Sequence, residues 1–299
     1  MIDQSWLWVV FTLLAAAAQT ARNAMQRELT TSLGTVGATH VRFLFGFPFA
    51  LIFLAAVLFA TGHSLPRPPL AYWPWVLGAS LAQVLATGLM LAAMGERSFV
   101  VAYAYIKTEP VQVALFGLVF LGDSITPLMA VAILIATAGV VVMALKPGAG
   151  ASGSMRSTLI GLGAGSMFAL SATTYRGSIL VLDYPDFVVA ATFTLAVGLV
   201  LQAAVLSLYL ALRDPGVLRA IGRAWRPSMF AGFMGAFASE FWFLAFAIAT
   251  AASVRTLALV EVLFAQAITR FVFKQPTTSR EALGIVLVVV GVALLVWAH

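Results

Sequence analysis

Four ionisable residues stand in the middle of long apolar stretches: Lys107 and Glu109 in YAYIKTEPVQ (103–112), Glu240 in AFASEFWFLAF (236–246) and Glu261 in LVEVLFAQ (259–266). At the centre of a bilayer each such charge costs at least ~2.5–3.5 kcal/mol, so each needs a partner or a function. A carboxylate in that setting can accept from an ammonium group or exchange a proton. Lys107 and Arg42 can hold a carboxylate, so a zwitterionic ligand would find both of its complements here. Tyr103, Tyr105 and Trp242 could wall an apolar side chain or face a cation. His40 and Gln83 add polar groups in neighbouring stretches, although His40 and Arg42 lie close enough to a helix end to snorkel.

On a helix, Lys107 and Glu109 are separated by about 200° and must look to different neighbours. Tyr103 shares a face with Lys107, while Tyr105 and Gln112 share one with Glu109. Pro110 lacks a backbone N–H and frees the Ile106 carbonyl, predicting a break or bend at that point. Broken backbone at membrane depth is tolerated where protein or a watered cavity surrounds it. Two readings stay open: the charges line a cavity, or they lock helices together as polar glue. Glu261 reads as a structural or coupling residue, paired with Arg255 or Lys107.

The elements that must position these residues are membrane helices. Hydrophobic residues make up 62% of the chain and charged ones 9%, with mean hydropathy +1.02, too few charges to cover a water-soluble fold. Apolar runs bounded by charges, prolines and glycines predict ten spans, near 5–25, 34–60, 72–95, 98–121, 126–145, 158–177, 186–212, 227–250, 252–273 and 281–297. Asp3 precedes the first run and no basic region leads it, so residues 6–21 read as a retained helix. The Gly- and Ser-rich KPGAGASGSMRS (146–157) reads as a linker between halves 1–145 and 158–299.

Sliding one half on the other so that Glu109 meets Glu261 also aligns Ala93 with Ala245, Ile133 with Ile285, and Gly139-Val140 with Gly291-Val292. Five spans per half is an odd number, so the halves must insert with opposite orientation. Residues 100–145, with Pro110, Leu121-Gly122-Asp123 and ILIATAGVV (133–141), resemble the fourth and fifth helices of the EamA-type drug/metabolite transporter superfamily. Residues 259–295 repeat the pattern, departing from it at Val262 in place of the proline and at Lys274-Gln275 in place of Gly-Asp. The resemblance implies an all-α integral membrane fold: ten transmembrane helices as two inverted five-helix repeats around a central cavity. It also implies movement of small metabolites, with ten-helix bacterial exporters of amino acids, the aromatic type included, as the nearest kind.

The expected function is secondary export of amino acids, apolar or aromatic, and related metabolites by one chain in the bacterial inner membrane. Efflux of cationic drugs is the alternative, because glutamates and aromatics would suffice for it. An integral-membrane enzyme is a remote third reading; the dense polar loop RDPGVLRAIGRAWRPS (213–228) is basic and holds no carboxylate pair. No catalytic residue, cofactor or metal site is expected: cysteine is absent, three histidines are scattered, and no phosphate-cradling GxxxxGK[ST] occurs. The net charge of +6 is spread too thinly for nucleic acid. Most of the basic residues fall on the side away from the termini, which favours that side as cytoplasmic; ten-helix relatives have the opposite habit.

Overall fold

The computed structural model describes residues 6–94, 104–144, 155–271, 274 and 277–298, and among them every regular element is helical. α1 (Leu7–Leu44) is interrupted at Gly34, whose φ of 69° and ψ of 176° turn the chain. A side chain there would be strained in that left-handed region, so glycine is what allows two spans to meet without a loop. α2 (Phe47–Thr61) and α3 (Tyr72–Met94) follow. After a helical turn at 104–106 come α4 (Glu109–Phe116), a π-turn at Gly117–Leu121, α5 (Pro127–Ala144), α6 (Met155–Leu182), α7 (Phe187–Arg213), α8 (Pro215–Arg223) and α9 (Trp225–Ile248). α10 (Ala251–Leu257), a 3₁₀ turn at Ala258–Val260, α11 (Glu261–Phe271) and α12 (Ser279–Ala298) complete the chain.

Seven helical segments are long and apolar enough to cross a membrane: Leu33–Thr61, Tyr72–Ala93, Ala104–Leu121, Pro127–Ala144, Phe187–Arg213, Ser228–Ile248 and Ser279–Ala298. The other three expected runs are helical too. The first contains a shorter apolar helix, Leu7–Arg22; the run at 158–177 lies within α6; the run at 252–273 is broken by the 3₁₀ turn.

The chain divides into two compact units, and the division does not follow the expected linker. One unit is Met1–Val84 with Thr174–Ala249, the other Leu85–Thr173 with Thr250–His299, so each draws helices from both sides of residues 146–157. That linker lies mostly outside the described residues; its last three, 155–157, already belong to α6.

In the first unit α1 lies along α9, with Phe11 against Phe241 and the Trp242 Nε1–H donating to Gln19 Oε1 at 3.1 Å. α7 is started by Asp186, whose carboxylate accepts from the N–H groups of Val188 and Val189, satisfying donors that a helix N-terminus leaves open. The Tyr175 hydroxyl is buried between Ser80 Oγ (3.1 Å) and Gln202 Nε2 (2.8 Å), its ring on Phe243.

In the second unit α5 and α12 pack closely, because glycines let their backbones meet. A Cβ on Gly139 would fall 2.7 Å from the Gly284 carbonyl oxygen, and one on Gly291 2.5 Å from the Ala136 nitrogen. Both distances are closer than real Cβ contacts, so small residues are obligatory here. α12 begins with a capping box: Glu281 N–H donates to Thr278 Oγ1 and Thr278 N–H to Glu281 Oε2.

Candidate functional site

The break predicted at Pro110 is present one turn upstream of it. Lys107 and Thr108 form a turn, and Thr108 closes it through its N–H and hydroxyl, both donating to the Tyr105 carbonyl. α4 then starts at Glu109 with Pro110 in its first turn, where a missing N–H costs nothing. Gly165 of α6 lies against this turn: a Cβ on it would sit 3.3 Å from the carbonyl oxygens of Tyr105 and Ile106. The second half has the same interruption without a proline, a 3₁₀ turn at Ala258–Val260 that ends as Glu261 opens α11.

Both glutamates therefore occupy the first residue of a helix resumed after a break, where the helix dipole favours negative charge. Each is held by a cation from the opposite half of the sequence. Arg255 donates through Nε to Glu109 Oε1 (2.6 Å) and through Nη2 to Oε2 (2.7 Å), a bidentate pair. Lys107 forms an ion pair with Glu261. Lys107 and Glu109 thus take separate partners, but both partners lie in the one broken run 252–273, because Lys107 sits in the turn before α4 and a helical separation of about 200° does not hold between the two. Of the two partners open to Glu261, it has taken Lys107, leaving Arg255 to Glu109.

Glu240, in the first unit, is placed otherwise. Its Oε1 accepts from the Thr192 hydroxyl of α7 at 2.5 Å, and its Oε2 is buried with no hydrogen-bond partner among the described residues. Phe237 lies three residues earlier on α9 with its ring on Phe241 at 4.9 Å, and Phe241 meets Phe11 of α1. Further along α9, Gly235 is the meeting point of two guanidinium side chains. A Cβ on it would lie 3.3 Å from Arg42 Cγ and 3.7 Å from Arg22 Cδ.

Arg42 and His40 do not snorkel. They are 7% and 0% exposed, and His40 Nε2 is 3.0 Å from Ser207 Oγ on α7, so their spans bring them inward and not to the interface. Trp242 is buried and its indole N–H is occupied by Gln19, which makes it a positioning group for α1 against α9. Gln83 is half-buried on α3 and Tyr105 half-buried at the broken turn. Tyr103 lies outside the described residues. The structure thus gathers Glu109, Arg255, Lys107 and Glu261 in one unit, and Glu240, Trp242, Arg42 and His40 in the other.

Thr192, which caps one oxygen of Glu240, gives no signal in the sequence, because a threonine in an apolar helix most often bonds its own backbone. The Val188 carbonyl lies 2.8 Å from the same hydroxyl, whose single proton is shared between that carbonyl and Glu240. Arg22 had a signal, being a basic residue late in an apolar run. Its partnership at Gly235 required the fold. Among the described residues no group of three or more His, Cys, Asp and Glu could hold a metal ion.

Comparison with known proteins bears on the half that carries Pro110. Residues 6–145 match the EamA-like transporter family. The EamA-like segment covers α1 to α5 and so includes Lys107, Glu109 and the Gly122-Asp123 turn. No curated protein matches the chain. A solved protein known from its crystal structure superposes with a TM-score of 0.70 at 18% identity, over 97% of this chain and 94% of its own. At that identity the likeness shows a shared fold, and it extends the fold beyond the EamA-like segment into the second half. With its apolar helices, the chain is a multi-pass membrane protein, and the EamA-like match points to transport of small molecules and away from catalysis.

Proposed function

We propose that this chain is a secondary transporter that exports amino acids, chiefly those with apolar or aromatic side chains, and related metabolites by alternating access. Its setting is the bacterial inner membrane, crossed ten times by two inverted repeats, 1–145 and 158–299. The observation that carries the reading is a set of three charged side chains inside the first unit, Arg22 and Arg42 of α1 and Glu240 of α9. Glu240 presents a buried carboxylate oxygen, and Arg22 and Arg42 converge at Gly235, five residues away. That spacing is about 7.5 Å along a helix axis. The two positions are about 140° apart around α9, so the reach of the long arginine side chains beyond Gly235 would have to close the gap: the ammonium of an α-amino acid would then meet Glu240 and its carboxylate a guanidinium group. Phe237, Phe241 and Phe11 would take an apolar side chain.

Reciprocity in the other unit supports the inverted repeat. Gly139 and Gly291 are repeat partners, and each lets the backbone of the opposite half approach. Glu109 and Glu261 are repeat partners as well, and each is paired with a cation lying just upstream of the other. Such exchange is what an approximate two-fold axis produces.

A carboxylate beside phenylalanine rings also suits a lipophilic cation, so drug efflux is the second reading. Counterflow in proteoliposomes separates the two. Radiolabelled aromatic and branched amino acids are expected to exchange, a quaternary ammonium compound is not, and Glu240→Gln should lower exchange about tenfold, the worth of a charge-assisted contact. Exchange of the quaternary ammonium compound alone would favour drug efflux, and exchange of neither would overturn both.

A further inference from the structure

The basic loop left over by the transport reading has a structure of its own. Asp214 caps α8, its carboxylate accepting from the Val217 N–H, and α8 then runs nine residues between two long apolar helices. Its apolar face is already used: Ile221 is fully buried, and Val217 reaches α1, where its Cγ1 lies 3.0 Å from the position of a Cβ on Gly37. Arg219 and Arg223, one turn apart, lie on the opposite face and are exposed. Arg213 ends α7 and Arg226 begins α9, also exposed, with the Arg226 guanidinium 5.4 Å from the Trp225 ring centre.

The level of these arginines in the bilayer follows from their neighbours. Leu208 is 63% exposed and Leu212 76%, immediately before Arg213; Trp225 is 49% and Phe230 57%, around Arg226. Side chains that apolar and that exposed require acyl chains around them. Each arginine next to them is only one residue, about 1.5 Å of helix rise, further on. That places the guanidinium groups of Arg213 and Arg226 where hydrocarbon gives way to headgroups, with an indole at the boundary as interfacial aromatics prefer, and α8 with Arg219 and Arg223 connects the two. Between residues 205 and 235 the single acidic side chain is Asp214, whose carboxylate serves as the helix cap.

We propose that Arg213, Arg219, Arg223 and Arg226 form a docking surface for the phosphate headgroups of anionic phospholipids, which anchors the α7–α8–α9 end of the molecule to its leaflet. The surface is complementary in charge to phosphatidylglycerol, and less so to a zwitterionic lipid, whose ammonium offsets its phosphate. Guanidinium groups bind phosphate bidentately, so the contact would be local and not a diffuse attraction alone.

The test uses the full chain in mixed micelles and reads quenching of the Trp225 signal, taken as the difference between the protein and its Trp225→Phe variant. Brominated phosphatidylglycerol should quench at several-fold lower mole fraction than brominated phosphatidylcholine. Arg219→Gln with Arg223→Gln should reduce that preference about fivefold per arginine, Arg→Lys at both positions should keep only the part owed to charge and lose the bidentate part, and raised salt should weaken it. Equal quenching by the two lipids overturns the proposal, as does a preference that survives the glutamine variants. If those variants fail to fold, the salt titration of the unsubstituted protein decides, and a preference unaffected by salt overturns the proposal.

Discussion

The two units treat a buried carboxylate in opposite ways. In one, Glu109 is clasped by Arg255 through two hydrogen bonds and Glu261 by Lys107, each at the start of a resumed helix. In the other, Glu240 has a threonine hydroxyl on one oxygen and, among the described residues, no hydrogen-bond partner on the other. A carboxylate matched by a guanidinium has its charge already compensated, whereas one matched only by a hydroxyl has no cation opposite it. On the proposed function the pairs are architecture and Glu240 is the ligand contact, which, of the two readings open for Lys107 and Glu109, takes the locking of helices.

The sharpest way to break this contrast is to remove one member of the bidentate pair. Arg255→Ala leaves the Glu109 charge buried and should cost about 3–5 kcal/mol. It is expected as a large fall in the melting temperature of the purified protein. The exchanged pair Glu109→Arg with Arg255→Glu should recover part of that loss, and no recovery would show that the two residues act separately. The second pair should respond less if both charges are removed together. Lys107→Met with Glu261→Gln should be more stable than Lys107→Met alone, since neutral replacement leaves no orphaned ion.

Glu240→Gln tests the other side. It should leave the melting temperature within a shift worth about 1 kcal/mol while lowering amino-acid exchange, the reverse of the pattern for Arg255. A variant that melts early and still transports would place Glu240 with the structural pairs. The smallest effect is expected at Trp242→Phe, which loses the hydrogen bond to Gln19 but keeps most of the ring packing. About 1 kcal/mol of stability should go, measured by the same melting assay.

Much of this was legible from residue order. The break at Pro110 could be read because proline removes a backbone donor wherever it stands. The matching break at 258–260 could not: Ala-Leu-Val carries no such signal, and Val262 stands where the first half has its proline. That turn is held instead by its surroundings, with Leu259 buried in a cluster with Ala136, Val140 and Val288. The partners of Glu261 were narrowed to two, since few basic residues lie in apolar runs, but angular spacing within one helix says nothing about which neighbour is nearer. For His40 and Arg42 two positions were open, the interior or the interface, because distance from a helix end sets what a long side chain can reach, while packing sets where it points.

Composition and apolar run length determined that this chain lives in a membrane, that it is helical there, and that a few charges must be satisfied inside it. Those conclusions need only the cost of exposing backbone and charge to hydrocarbon, which each segment meets on its own. Tertiary structure decided which glutamates are matched by a cation and which one, among the described residues, has an oxygen without a hydrogen-bond partner. Matching is a contact between segments far apart in sequence, 146 residues for Glu109 and Arg255, and only the packing of helices from both halves can bring it about.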